Sequence, residues 1–348
     1  MKDVRLYGIY TISPLHCGTG QTAGAVDLPV ARESHTGLPF IPGTGLKGVA
    51  RDVVEQHDEA QVERLFGSAP PQPGGPHDDG AADRTPGAGK DEGTALKAGS
   101  LLFTDARLLA LPVQSLQRTF LYVTSPLVLH RLERELRAFG VKDVLPANWV
   151  CPNPLGGDGA NGSNGRGRQA LVADKNLENQ PLVLEDLCYN AGQVVQQATV
   201  GALADRLVGL LAADEVLGRH LMPSGLVVVP NEDLCDLAQR TLPVMARTQL
   251  TPGKTTDTWR DAATGQEYSG NLWYEEALPP DTLLYAFVGA PDLDRAGTGS
   301  ETPCARLHQQ AVHLRRVQIG GNETVGAGQC WWTFWTPASQ DGSQNDVL

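Results

Sequence analysis

The segment Pro39–His57, PFIPGTGLKGVARDVVEQH, restricts the fold of this 348-residue chain more than any other stretch. A short apolar run, Leu38 to Ile41, leads through Pro42-Gly43-Thr44-Gly45 into residues that set Leu46, Val49, Ala50, Val53 and Val54 on one face of a helix. The glycine turn is therefore aimed at a helix start. Backbone N–H groups there lack intrahelical partners and sit at the positive end of the helix dipole, so the turn invites an anion, above all a phosphate. Lys47 and Arg51, four residues apart, share a face at that end and would reinforce the attraction. The competing reading is an ordinary helix with a solvated cationic face.

Two familiar phosphate motifs do not fit. Gly43, Gly45 and Gly48 spell G-x-G-x-x-G, but a dinucleotide site needs a buried parallel strand directly before the turn, and here Pro42 interrupts the approach. A P-loop requires Ser or Thr after its lysine to hold magnesium, and this chain has Gly48 after Lys47. A nucleotide-using metabolic enzyme is thus the poorer reading of the turn. Upstream, Asp27 stands in a Gly-Ala-Val-Asp-Leu-Pro loop, followed by Arg32, Glu33 and His35 and preceded by His16. An acid in a turn is usually solvated or capping. Between two glycine-rich turns, however, this carboxylate is placed to meet a bound phosphodiester as a metal ligand or a base.

The rest of the chain supports that centre. Residues 1–13 alternate charged and apolar positions like a strand and lack the apolar core of a signal peptide, and no apolar run approaches the length of a membrane span. A cytoplasmic protein with no membrane partner is expected. Asp58 to Phe66 reads as a short helix stopped by Gly67, Ser100 to Leu109 and Thr119 to Thr124 as strands, and Ser125-Pro126 as the start of a helix ended by Gly140. Arg131, Arg134 and Arg137 on that helix read as a solvated or subunit-facing surface. By composition, 68–99 and 151–168 are flexible insertions in one domain spanning 1–348. Val244 to Thr251 and Leu272 to Glu276 bracket a polar tip in a hairpin excursion over 244–282. Near the end, four of the nine residues Gly320 to Gly328 are glycine, with Arg315 and Arg316 just before them; that is more glycine than a tight turn needs, and it suits close approach to a phosphate backbone.

A net charge of −12 looks unfavourable for contact with nucleic acid, but the charge is segregated. Glu178 to Asp236 holds nine acids against two arginines, whereas Ala305 to Ile319 holds three arginines and no acid, so an acidic outer face and a basic working face are expected. Six scattered cysteines without a C-x-x-C pair read as free thiols. The order strand, helix, strand, strand, helix, strand with additions fits an α+β, ferredoxin-like core, the platform of RNA-recognition domains.

The run LHCGTG, then GAVDLPVARESHTGLPFIPGTGLKGVAR, with FTDARLLALPVQS, NLWYEEALPPDTLLYAFV and QIGGNETVGAGQCWW following in order, strongly resembles the repeated backbone subunit of type III-B CRISPR RNA-guided effector complexes, a Cmr-type member of the RAMP superfamily. The resemblance covers most of the chain and rests on the ordered set of motifs. It implies a modified ferredoxin-like palm with a thumb hairpin, and a subunit that lines a guide RNA in many copies beside other type III-B subunits. It also implies cleavage of the paired target RNA at regular intervals with a divalent metal, Mg2+ or Mn2+. By position in these motifs, Asp27 is the expected catalytic acid and metal ligand, with His16, Tyr274 and Glu275 as further catalytic candidates. Gly43, Thr44, Gly45, Lys47, Arg51, Arg315, Arg316, Gly320, Gly321, Asn322, Gly326 and Gly328 are the expected RNA contacts, with Trp259, Arg260 and Arg247 of the hairpin suited to stacking and phosphate contact. A scaffold subunit that coats RNA without cutting it is the alternative.

Overall fold

The alternating start of the chain forms β1 (Lys2–Thr11), and the apolar run before the glycine turn forms β2 (Phe40–Ile41), which delivers the chain into α1 (Gly43–His57) and then α2 (Glu59–Phe66). There follow β3 (Leu102–Phe103), β4 (Ala106–Gln114), β5 (Phe120–Thr124), α3 (Pro126–Phe139), β6 (Ala170–Val172), β7 (Leu182–Leu184), β8 (Leu187–Tyr189) and β9 (Val194–Gln196). The second half contributes α4 (Ala198–Leu207), α5 (Met222–Gly225), β10 (Leu226–Val228), α6 (Asn231–Arg240), β11 (Val244–Gln249), β12 (Trp259–Arg260), β13 (Glu267–Tyr268), β14 (Asn271–Glu276), β15 (Leu283–Ala290), α7 (Pro303–Gln309), α8 (Ala311–Leu314), β16 (Arg316–Gln318) and β17 (Gln329–Phe334). This computed structural model describes residues 2–22, 24–68, 97–155, 167–210, 222–291 and 302–335. Of the insertions expected at 68–99 and 151–168, residues 69–96 and 156–166 lie outside the described residues.

One mixed sheet organises the molecule, in the order β16-β17-β1-β15-β4-β5-β10-β6-β9, with β2 on β4 and β3 on β15. The β1, α1, β4, β5, α3, β10 succession supplies the expected order of elements, and β10 returns parallel to β5 after the α3 crossover. The ferredoxin-like sheet is built from other strands than that succession: β17, β1, β15 and β4, each antiparallel to the next, take its fourth, first, third and second places, so that β5, α3 and β10 are additions beside it and the third strand, between β1 and β4, is β15. Its sequence, LLYAFVGA, is buried at every position, as a strand covered on both faces must be. Phe287 of β15 packs its ring 4.8 Å from Phe139 of α3, and Tyr7 of β1 stacks 4.5 Å from Trp332 of β17. The expected strand from Ser100 to Leu109 is two strands, because Thr104 turns to bond Phe287 across the sheet and Asp105 leaves the ladder.

α1 buries Leu46, Ala50 and Val54, with Val49 and Val53 half-buried beside them. It packs on β16 and α8, where His57 and His313 stack with ring centroids 3.8 Å apart. α3 buries Val128, Leu129, Leu132 and Leu136 and ends at Gly140 with φ of 70°. One local expectation changes. Arg131 is not solvated: only 11% exposed, it pairs with Glu33 at 2.7 Å and so ties the loop after Asp27 to α3. Asn231, the first residue of α6, turns its side-chain oxygen to the Leu127 N–H at 2.8 Å and so caps the first turn of α3.

The excursion expected over 244–282 is a two-stranded ribbon, β11 antiparallel to β14, with Val244 opposite Glu276 and Gln249 opposite Asn271. Its tip is the small β12–β13 pair. Glu275 and Glu276 at the base are buried, while Leu272 and Tyr274 further out are exposed.

Candidate functional site

Two loops near the start of the chain and the distant end of β14 meet at the ribbon base. The loop around Leu15 pairs with Leu278 through reciprocal backbone bonds of 3.0 and 2.8 Å. The Asp27 loop lies parallel beside β14: Leu28 N–H donates to the Tyr274 carbonyl and Glu276 N–H to the Leu28 carbonyl, each at 3.0 Å. Ala31 N–H then bonds the Cys17 carbonyl at 2.7 Å, which closes the two loops on each other. Asp27, His16, Tyr274 and Glu275 are thereby gathered by backbone hydrogen bonds into one region.

Their side chains differ in what they can do. Asp27 is half-buried; its Oδ2 accepts the Tyr274 N–H at 2.7 Å, and Oδ1 has no hydrogen-bond partner among the described residues. One oxygen is fixed and the other remains for a ligand. His16 Nδ1 lies 2.7 Å from the Glu276 carbonyl, which can only accept, so Nδ1 carries a proton and Nε2 is the ring nitrogen left to exchange one with a ligand. A side chain at Gly18 would fill the space in front of it, since a Cβ there falls 2.4 Å from Nε2. The neighbouring Cys17 thiol is pushed up to about 12 by burial, which removes it as a nucleophile at neutral pH. Tyr274 stands 44% exposed on the ribbon. Glu275 is 3% exposed and faces inward, accepting from Asn322 Nδ2 at 2.6 Å and facing Arg247 Nη2 at 3.5 Å. Its geometry suits holding the site together more than touching a substrate.

The glycine-rich loop closes the site from below. Gly320, Asn322, Gly326 and Gly328 all have φ between 65° and 82°, the left-handed region where glycine is strain-free. Gly321 N–H donates to the His16 carbonyl at 3.0 Å, Gly328 N–H to the Pro14 carbonyl at 2.8 Å, and Gly326 N–H to the Glu323 carbonyl at 2.9 Å. These amides are committed within the protein, so the glycines serve first to seat the His16 loop. A Cβ on Gly320 would sit 2.2 Å from the His16 carbonyl oxygen, whereas Gly326 faces open space.

The expected cationic contacts separate similarly. At the start of α1 the anion is, for Gly43, the protein's own: Asp105 Oδ1 accepts the Gly43 N–H at 2.8 Å, and Gly43 packs against the Phe103 and Thr104 carbonyls with no room for a side chain. Thr44 and Gly45 remain exposed. Lys47 has no carboxylate partner among the described residues, whereas Arg51 donates to the Gly67 carbonyl at 3.1 Å. Arg315 and Arg316 are exposed and, among the described residues, unpaired, on the segment against which α1 packs. On the ribbon, Arg247 is engaged by Glu275, Arg260 bonds the Gly265 carbonyl, and Trp259 lies against Gly253 and Tyr268, folded onto its own tip.

Among the described residues no group of three His, Cys, Asp or Glu side chains could hold a metal ion. The donor set does fit a hard divalent cation held through one carboxylate and completed by water and phosphate oxygens, the mode Mg2+ adopts beside nucleic acid. Sequence reading missed three residues of the site: Asp105, Arg32 as a structural cation, and Glu276, whose Oε1 meets Arg32 Nη2 at 2.6 Å. The Glu-Glu pair before Ala-Leu-Pro was the available signal, because consecutive side chains of a strand point to opposite faces and this pair stands where the ribbon re-enters the fold, so that both acids meet other segments there.

The RAMP superfamily model matches residues 8–331. The chain is 31% identical over 337 residues to the CRISPR system Cmr endoribonuclease Cmr4 of Pyrococcus furiosus, covering 93% of this chain and 92% of that protein. It is 34% identical over 84 residues to the CRISPR system Cms endoribonuclease Csm3 of Enterococcus italicus, covering 20% of this chain and 39% of that one. Among solved structures it resembles oligomeric Cmr4 from Pyrococcus furiosus, with a TM-score of 0.60 at 24% identity over 95% of this chain and 97% of that one. It also resembles a chain of the type III-B Cmr-beta complex bound to cognate target RNA, with a TM-score of 0.61 at 17% identity over 95% of this chain and 96% of that one. The match along nearly the whole chain, together with the shared modified ferredoxin-like fold, makes this protein a member of the RAMP superfamily, on its Cmr4 branch.

Proposed function

We propose that this protein is a repeated backbone subunit of a type III-B effector complex, and that it binds guide RNA and cuts the paired target RNA at regular intervals. The observation that carries the reading is the half-buried Asp27 carboxylate, one oxygen fixed by Tyr274 N–H and the other without a partner among the described residues, in a loop that Ala31 N–H closes on the His16 loop through the Cys17 carbonyl. Its kinship with an endoribonuclease and with a subunit seen on target RNA supports the same assignment.

In this reading Lys47, Arg315 and Arg316, exposed or half-buried and without acid partners among the described residues, grip the RNA backbone independently of sequence, and base pairing to the guide supplies sequence choice. Asp27 would hold a divalent cation, Mg2+ or Mn2+, through Oδ1, or would take the proton from the 2′-hydroxyl as its oxygen bonds to phosphorus and displaces the 5′-oxygen, which leaves by taking up a proton. The cation supplies charge stabilisation at the scissile phosphate. His16 Nε2 accepts or returns a proton on the same side, and the ribbon beside them restrains the target strand for in-line attack. Further copies of the chain along the guide repeat the site and hence the cut.

The test is reconstitution with guide RNA and the sister subunits, followed by addition of end-labelled matched target with Mg2+ or with a chelator. Evenly spaced cuts that need both guide and metal are expected. Cutting that ignores the guide, or none at all, contradicts the proposal.

A further inference from the structure

We propose that the Arg32–Glu276 ion pair is the positioning element that holds Asp27 and His16 in one working arrangement; this rests on the reading of Asp27 as the cleavage residue. Glu276 is the last residue of β14, with its side chain 9% exposed, and that of Arg32 is 20% exposed. The carboxylate bonds in two directions. Oε1 accepts from Arg32 Nη2 at 2.6 Å, and Oε2 accepts from the Val30 N–H at 3.0 Å, three residues beyond Asp27. The same residue's backbone carbonyl faces His16 Nδ1 at 2.7 Å and sets that ring's tautomer. Arg32 then reaches away from the site, donating from Nη1 to the Gly37 carbonyl at 2.8 Å and to the Ala238 carbonyl at 2.9 Å.

Ala238 lies in the last turn of α6, where carbonyls have no helical partner and a cation is favoured. One side chain therefore anchors the Asp27 loop to β14, its own tight turn and a helix of the sheet's outer layer. A buried ion pair is a poor device for stability, because desolvating both charges offsets their attraction, but its demanding geometry fixes register well. The register fixed here is that of the 27–31 segment against β14. Slippage would carry Asp27 off the Tyr274 N–H and alter the distance from Asp27 to His16 Nε2. Arg32 and Glu276 touch no substrate in this scheme; they act through the two residues that do.

The test uses the reconstituted complex with guide and matched target, comparing Glu276→Ala, Glu276→Gln, Arg32→Met and Asp27→Ala for single-turnover cleavage and for target affinity. Misplacing a reacting group by about 1 Å costs roughly 100-fold. Glu276→Ala and Arg32→Met are therefore expected to slow cleavage by about that factor with affinity within about threefold. Glu276→Gln keeps an oxygen for Val30 N–H and is expected to recover about tenfold of the loss. Wild-type cleavage in Glu276→Ala, with Asp27→Ala inactive, overturns this inference and leaves the catalytic reading standing. Loss of target binding together with cleavage in both Glu276 variants also overturns it, since that marks a residue of general integrity. Undiminished cleavage in Asp27→Ala removes the reading on which the inference rests, and the inference with it.

Discussion

Gly320 and Gly326 form a natural controlled pair for the claim that the glycine loop seats the His16 loop. Both have nearly the same left-handed backbone, with φ of 82° and 81°. Alanine at either position meets the same left-handed penalty, roughly 1–2 kcal/mol. At Gly326 the new methyl group enters open space and nothing is added. At Gly320 it falls 2.2 Å from the His16 carbonyl oxygen and 3.0 Å from its carbon, backbone atoms that cannot rotate away. Overpacking of this kind adds about 1–3 kcal/mol. Gly326→Ala should therefore cost about 1–2 kcal/mol and Gly320→Ala about 2–5 kcal/mol. For a chain of this length that corresponds to about 2–4 °C and 4–10 °C in Tm at roughly 2 °C per kcal/mol. Differential scanning fluorimetry and urea unfolding measure the pair, and single-turnover cleavage should fall in Gly320→Ala alone, because the displaced atom belongs to His16. Equal losses in the two variants, or a larger loss in Gly326→Ala, would refute the reasoning.

Gly18→Ala should slow cleavage with little change in target affinity, because its methyl group crowds His16 Nε2; single-turnover rates beside binding isotherms check it. Removing Lys47, Arg315 and Arg316 together should weaken guide binding and flatten its dependence on salt, by about 0.7 in log–log slope for each phosphate no longer neutralised, as filter binding across a salt series would show. Glu275→Ala strands Asn322 and Arg247 at the ribbon base and should cost about 2–3 kcal/mol in urea unfolding. Burial raises the Glu33 carboxyl, but the Thr36 hydroxyl and Arg131 outweigh it and hold the group below its ordinary value of 4.5. A depressed folded-state value means the stabilisation is present above the unfolded value and lost as pH falls through the folded one. The stability advantage of wild type over Glu33→Gln should accordingly be full at neutral pH and shrink progressively below about 4.5.

What could be read from the sequence divides along physical lines. α1 and α3 were legible because their apolar residues recur at helical spacing, and α3 also because Pro126 and Gly140 mark its two ends. The ribbon was legible from two strand-like runs around a polar tip, while the role proposed for Asp27 rests on its company of turns and on family likeness. The position of β15 was not, because a strand buried on both faces has no alternation to reveal which neighbours it takes. Nor was the fate of polar groups. That Asp105 would answer Gly43, that Arg131 would reach Glu33, or that Asn231 would cap α3 depends on segments 62, 98 and 104 residues apart meeting in space. The Arg32–Glu276 pair, separated by 244 residues, was hidden for the same reason. The glycine loop was read as a place where backbone approaches a ligand; its close approach is to the protein's own His16 and Ile319 carbonyls.

The central claim is that the unpartnered oxygen of Asp27 works on the scissile phosphate. Asp27→Asn retains a side chain of the same size and an oxygen for Tyr274 N–H while removing the charge, so a reconstituted complex carrying it in every copy isolates the chemistry. Single-turnover cleavage of matched target should drop by about 10²–10⁴-fold at every cut position together, with target affinity unchanged. Cuts persisting at the wild-type rate at any position, with the variant confirmed in every copy, would contradict the account.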